Sequence, residues 1–299
     1  GQSWERPDPS RRQLERDIGW ETDPQAGGSF QLVSDSDNRD SLEAGATGRY
    51  PLAAPVDLWG SLGSAQYRDR VLPALGGAEA TLGADWFAWR HVTAGGWLRG
   101  RSLGSGVDTL EGQATVQAVL DGNRFGGACG VTDVETVGAL RAGIFRHGCQ
   151  GAYDLTTRTW RMRARLDLGS LTDGNAILYG WADGTWDLPV RPRIAIGGRL
   201  ELGDSHTTST LYYAPSQLVS LLGIVRYARS FPYSRASIEA QAGLGPSRDS
   251  SESARVVGQA QIAWRQDWGI RWRSTLAAEY GETPNYRRTG ISFSFGYRF

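Results

Sequence analysis

Residues 159–168 read TWRMRARLDL, and the fold turns on where their arginines can go. Trp160, Met162, Ala164, Leu166 and Leu168 fall on one side of an extended chain, with Arg161, Arg163, Arg165 and Asp167 on the other. That is the two-residue period of a β-strand with one apolar face. A dry core cannot take the charged side, because burying an unpaired ion costs several kcal/mol. The arginines therefore face water, either around a soluble sheet or inside a central bore.

The same alternation recurs outward from this stretch. Leu42, Ala44, Ala46, Gly48 and Tyr50 oppose Glu43, Thr47 and Arg49, and Leu110, Ala114, Val116, Ala118 and Leu120 oppose Glu111, Gln113, Thr115 and Gln117. Ile194, Ile196, Leu200 and Leu202 oppose Arg193, Arg199 and Glu201; Val256, Ala260, Ile262 and Trp264 oppose Arg255, Gln259, Gln261 and Arg265. Ile270, Trp272, Leu276, Ala278 and Tyr280 oppose Arg271, Arg273, Thr275 and Glu279, and the chain ends on Ile291, Phe293, Phe295, Tyr297 and Phe299 against Ser292, Ser294, Gly296 and Arg298. A soluble sandwich would have no use for aromatics at the strand ends. Tyr50, Trp59, Trp86, Trp160, Trp181, Trp264, Trp272, Tyr280 and Tyr297 punctuate the apolar faces where the interfacial girdles of a transmembrane barrel lie.

Seventeen candidate strands can be marked, near 28–35, 41–51, 56–67, 79–90, 93–101, 109–121, 124–131, 137–146, 158–168, 175–182, 193–203, 209–214, 218–229, 235–244, 254–265, 270–280 and 290–299. The pair around the cysteines and the break at Pro215 are the weakest. Single-chain bacterial barrels have even strand numbers. The expectation is an all-β, antiparallel transmembrane barrel of about sixteen strands over residues 27–299, in the bacterial outer membrane. Residues 1–26, with SRRQLERDIGW between PDP and DP, read as a short helical or irregular periplasmic connector.

Composition agrees. The chain has 299 residues, 40 of them Gly, 12 Trp and 11 Tyr, and no run of about 18 apolar residues that would make a membrane helix. Its mean hydropathy is negative, as expected when lipid-facing and lumen-facing side chains interleave. Every one of the 32 basic residues is Arg, and the formal net charge is zero. Nothing supplies the basic excess that phosphate neutralisation requires, so nucleic acid is excluded as a partner. The first residues carry no signal segment, consistent with a mature form or a piece of something longer.

Cys129 and Cys149 lie in a Gly-rich stretch. In an exported protein an even pair suggests one disulfide closing a loop, against the alternative of two unrelated buried thiols. A structural metal needs four ligands, and His147 is the one soft ligand nearby, so no metal or other cofactor is expected.

One stretch points to a family. TSTLYYAPSQLVSLLGIVRYARSFPYSRASIEAQAGLG, residues 208–245, with Tyr212, Tyr213 and Pro215, resembles the Tyr-Tyr-x-Pro strand-turn-strand element in the carboxy-terminal porin domains of exopolysaccharide export proteins, the PgaA, BcsC and PelB group. The PelB type matches best, in its Arg-rich, Lys-free composition and barrel length. The resemblance implies an outer-membrane channel moving a Pel-like biofilm exopolysaccharide from periplasm to cell surface, with a periplasmic TPR scaffold upstream of the opening segment. It also implies periplasmic export partners such as a lipoprotein, and contact with outer-membrane lipid. The aromatic end, Phe293, Phe295, Tyr297 and Phe299, resembles the signal read by the barrel insertion machinery. Family members that move cationic amino-sugar polymers would present an acidic lumen. Here Glu43, Asp85, Glu111, Asp167, Glu201, Glu239 and Glu279 are outnumbered by inward arginines.

A polymer channel needs weak, repeated contacts. The residues expected to provide them are Arg161, Arg163, Arg165, Arg199, Glu201, Arg271, Arg273 and Glu279, for which a structural ion-pair ladder in the wall is the equal alternative. An open bore would leak, so either a folded extracellular loop, with the segment near 125–150 between Cys129 and Cys149 as the candidate, or a periplasmic partner is expected to close it. Catalysis is not expected, since His91, His147 and His206 fall in no recognisable motif. An autotransporter translocator would use about twelve longer strands with a helix through the pore, and a diffusion porin a long constriction loop.

Overall fold

The computed structural model describes residues 23–36, 39–53, 55–89, 91–250 and 253–299. Through residue 22 the expected connector lies outside the described residues, and its last positions, Gln25 and Ala26, already belong to the first strand. The strands are β1 (Gln25–Asp35), β2 (Asp40–Ala53), β3 (Val56–Arg68), β4 (Leu75–Trp89), β5 (Val92–Ser102), β6 (Asp108–Leu120), β7 (Asn123–Asp133) and β8 (Phe145–Thr156). They continue as β9 (Trp160–Leu171), β10 (Ala176–Asp187), β11 (Arg193–Ser205), β12 (Leu218–Phe231), β13 (Ala236–Arg248), β14 (Arg255–Trp268), β15 (Trp272–Glu282) and β16 (Arg287–Arg298). Each pairs antiparallel with its neighbours in sequence, and β1 pairs with β16, closing one 16-strand barrel.

Register fixes which side chains face out. Phe30, Phe293, Leu276, Trp264 and Ile238 lie in one cross-strand row over β1, β16, β15, β14 and β13. One position along, Ser294, Thr275, Arg265 and Ser237 point into the bore. On adjacent strands Leu62, Leu82, Leu98 and Leu110 are each more than 60% exposed, a continuous apolar wall that only lipid can cover. A closed sheet satisfies every backbone group along the ladder, which lets it cross a hydrocarbon layer. The chain is a bacterial outer-membrane β-barrel.

The end carrying both described termini has the shorter turns, and the opposite end has connections at 134–144 and 206–217. In outer-membrane barrels the short-turn end is periplasmic. An aromatic girdle marks that end on the outer face, with Trp160 against Trp186 (centroids 4.5 Å) and Trp272 against Tyr297 (4.7 Å).

The structure corrects four expectations. The candidate strand at 209–214 is irregular and folds over the bore, which removes the seventeenth strand. The candidate at 137–146 is a helix, α1 (Val137–Arg141), followed by β8 beginning at Phe145. Thr136 caps α1, its side chain accepting from the Ala139 N–H, and Gly143 at φ 63° reverses the chain just beyond it. Trp59 and Trp181 point into the lumen, not the girdle: Trp59 stands opposite Arg49, Trp181 opposite Arg165 and Glu201. Gly83 makes room for Trp59, since a Cβ there would sit 2.3 Å from the indole ring.

Candidate functional site: the lumen and its cap

Two opposed walls line the bore. On one wall Arg101 of β5 is surrounded by Glu43 (3.9 Å), Glu79 (3.2 Å), Glu111 (3.5 Å), Asp133 (3.2 Å) and Glu135 (2.7 Å). Arg99, two residues earlier on the same inward face, shares Glu111 (2.5 Å) and Glu135 (3.0 Å). Five carboxylates thus share two guanidiniums, and the side chains of Arg101 and Glu111 are wholly buried. Tyr67 donates to Glu43 at 3.0 Å and Thr109 to Asp133 at 2.7 Å. This wall is net acidic.

The facing wall, from β8 around to β16, is rich in arginine. Asp183 of β10 accepts from Arg163 (2.8 Å), Arg199 (2.9 Å) and Arg226 (2.9 Å), and its side chain is fully buried. Gln241 accepts from Arg226 at 2.7 Å and from Arg163 at 3.3 Å, and Arg199 also reaches Gln259 at 2.9 Å. The Trp181 ring lies 4.3 Å from the Arg199 guanidinium and 5.5 Å from that of Arg163. Below this cluster a cavity of about 390 Å3 opens, lined by Arg161, Arg193, Glu239, Gln261 and Glu279 among others.

The residues expected to line the lumen fall as follows. Arg161, Arg163, Arg165, Arg199, Glu201, Arg273 and Glu279 all sit on inward positions. Arg163, Arg199 and Glu201 are engaged in the Asp183 cluster, Arg165 donates to Gln150 at 2.5 Å, and Arg273 pairs with Asp267 at 2.7 Å. Arg271 does not line the bore: it lies in the periplasmic turn before β15 and donates to the Tyr297 hydroxyl at 2.9 Å on the outer side. The inward arginine excess holds for one wall only, because the acidic residues gather on β2–β7. The acidic wall was missed as a unit. Its members are far apart in sequence, and only the register brings Glu43, Glu79 and Glu111 around Arg101. Inward Leu218, Leu222 and Ile224, all buried, were also missed, because β12 alternates Leu and Val with Leu and Ile and gives no polarity signal.

A cap closes the cell-surface mouth. Val137 and Leu140 of α1 pack on Ala65, Tyr67, Leu75 and Leu103 from one side of the barrel. Ala139 and Ile144 join Leu171 and Tyr212 on the other. The β7–β8 connection, residues 134–144, thereby spans the bore as a strut, while the rest of the 125–150 segment lies in strands β7 and β8 of the wall. The β11–β12 connection completes it, with the Thr136 hydroxyl donating to the Leu211 carbonyl at 2.5 Å.

Tyr212, Tyr213 and Pro215 belong to this cap rather than to a strand. Tyr212 donates to Asp173 at 2.7 Å and accepts from Asn175 at 3.0 Å. Tyr213 stacks on Tyr286 (centroids 4.4 Å, 18°) and shares a hydrogen bond with Thr283 at 3.1 Å. The Pro215 carbonyl accepts from Ser205 at 2.7 Å. Burial raises the hydroxyl pKa of Tyr212, Tyr213 and Tyr286 above the ordinary range. Glu135, in the cap, goes the other way. Burial pushes its carboxyl up, but the Arg101 and Arg99 guanidiniums outweigh that and hold it below the ordinary glutamate value.

Cys129 and Cys149 are disulfide-bonded. They are opposed on β7 and β8 and face outward, in the same row as Ala114 and Leu168. The bridge ties the two strands that carry the strut.

No family model and no curated protein matches the chain. Among solved structures it is similar in fold to a "Bacterial polysaccharide outer membrane secretin", with a TM-score of 0.76 at 13% identity over 92% of this chain and 98% of that one. The search also returns a triple mutant of the Rhodopseudomonas blastica porin (TM-score 0.45, 12% identity, 92% and 99% of the two chains). The translocator domain of the autotransporter NalP from Neisseria meningitidis gives a TM-score of 0.42 at 11% identity over 97% and 95%.

Proposed function

We propose that this barrel is a channel for export of a biofilm exopolysaccharide, Pel-like in class, from periplasm to cell surface, without catalysis. The observation that carries the reading is a polar bore with two charged walls, entered from the periplasmic end and shut at the surface by a folded cap. A constitutive diffusion pore has no use for such closure. An exporter must hold a seal between loads, and a polymer can push the cap aside from below. The fold it shares with a polysaccharide outer-membrane secretin supports this reading, as does the resemblance of Tyr212, Tyr213 and Pro215 to the export-porin element. An autotransporter translocator would need about twelve strands, and the barrel has 16.

The walls suit a sliding polymer. One wall presents Glu43, Glu79 and Glu135, and the other presents Arg161, Arg163 and Arg226 with Gln241 and Gln261 among them. Sugar hydroxyls and amines can exchange hydrogen bonds along both walls with no single deep trap. Periplasmic partners, a TPR scaffold preceding residue 25 and a lipoprotein, would deliver the chain.

Planar-bilayer conductance tests the proposal, comparing the native barrel with one whose residues 135–143 are replaced by a short Gly-Ser linker. The native barrel should stay largely shut, and the linker variant should conduct and be blocked by Pel-like polysaccharide added on the periplasmic side. Full conductance with the cap intact, or an opened pore indifferent to the polymer, would overturn it.

A further inference from the structure

On the outer wall, strands β7 to β11 leave a groove of about 860 Å3 near the cell-surface rim. Its upper row, read across the strands, is His147, Ser170, Ala176 and His206. His147 stands opposite Ser170, Ser170 opposite Ala176, and the His206 N–H donates to the Ala176 carbonyl at 2.9 Å. Three strand spacings of about 4.8 Å place the backbones that carry the two imidazoles roughly 14 Å apart. The next row toward the membrane centre is Cys149, Leu168, Leu178 and Asp204. Ser170, Ala176 and the cystine are small where most of the outer wall carries Leu, Val or an aromatic ring, and this hollows the surface.

The groove has an amphipathic order. Its histidines stand within three residues of the surface-side strand ends, where other strands turn Asp40, Arg68, Asp108, Arg248 and Glu282 outward. That is headgroup height. The leucines beneath are continuous with the lipid-facing wall. Both histidines are exposed, and neither serves the lumen or the cap. Asp204 is the charged side chain lining the groove, and one of its carboxylate oxygens is taken by the Ser205 and Gln217 backbone N–H groups, each at 3.0 Å.

We propose that this groove is a binding site for one phosphorylated glycolipid of the outer leaflet, of the lipid A class. His147 and His206 hold its headgroup phosphates, and an acyl chain lies over Leu168 and Leu178. An imidazole N–H donates to a phosphate oxygen, and the bond is charge-assisted by the anion. The apolar floor supplies area-proportional burial. The site is independent of what the lumen carries.

The test is native mass spectrometry of the detergent-solubilised barrel titrated with lipid A. The wild type should retain one lipid A and bind dephosphorylated lipid A about tenfold more weakly. The double variant His147→Ala/His206→Ala should lose roughly tenfold in affinity. Ala176→Leu fills the hollow between the two histidines with a side chain compatible with lipid, so its barrel forms, and it too should lose the bound lipid. Equal retention by the wild type and both variants, or equal binding of the dephosphorylated lipid, would overturn the site.

Discussion

Leu140→Ala should turn a shut barrel into one that flickers open. Leu140 is 4% exposed and packs with Val137 against Tyr67, Leu75 and Leu103, and these contacts exist only while α1 spans the bore. Truncating a buried leucine costs about 2–5 kcal/mol, including the cavity left behind. The whole cost falls on the closed state, because the open cap exposes this side chain in both proteins. Each 1.4 kcal/mol is tenfold in an equilibrium, so even the lower bound raises the open fraction about 30-fold. Single-channel recording in planar bilayers reads that fraction directly, and circular dichroism confirms that the barrel has formed. Leu166→Ala, a truncation of the same size on the lipid-facing wall, should leave the opening frequency unchanged. An unchanged frequency in Leu140→Ala would mean that the apolar contacts of α1 contribute nothing to closure.

Other outcomes follow from the charges and the bridge. Glu135 is held below its ordinary pKa in the folded cap, so its contribution is present above the unfolded value of 4.5 and lost as pH falls through the folded one. Openings should therefore multiply as pH is lowered below about 4.5, and Glu135→Gln should open the channel at neutral pH; pH-independent gating in the native barrel would refute the latch. Asp183→Asn leaves three guanidiniums around a neutral amide, at a cost of about 3 kcal/mol, read as a lower urea midpoint for the barrel in vesicles. Cys129→Ser/Cys149→Ser removes a bridge spanning 20 residues, worth roughly 3 kcal/mol in the chain-entropy account. Its barrel should unfold at lower urea, and a midpoint equal to that of the native barrel would count against that account.

The fold was legible because lipid and water each leave a mark of the same period. Once Arg161, Arg163 and Arg165 alternate with Met162, Ala164 and Leu166, the charged face must meet water; the aromatics at the strand ends then favour a membrane barrel over a soluble sheet, and the even-number rule chooses sixteen. Strand ends were less legible. Trp59 and Trp181 carry no mark that separates an interfacial tryptophan from one stacked beneath an arginine. Their direction is set by parity within the strand: Trp181 shares a face with Asp183, and Trp59 with Asp57.

The cap shows a deeper limit. Period-two reasoning rests on a side chain having two fates, but residues entering the bore have a third, packing on inward apolar side chains of distant strands. Val137, Ala139, Leu140 and Tyr212 satisfy a strand template and a plug equally well. What distinguishes the plug is that its partners, Tyr67, Leu75, Leu103 and Leu171, occupy inward positions that in a simple open pore would be polar. Apolar residues on the wet face near one end of several strands are thus the sequence-level sign of a lid. By parity Leu75, Leu103 and Leu171 share the inward face and one common end of their strands, and that common end is the closed mouth. Replacing Leu75 and Leu103 by serine should open the mouth as effectively as truncating α1 itself, because closure is a property of the shared contact and not of the helix.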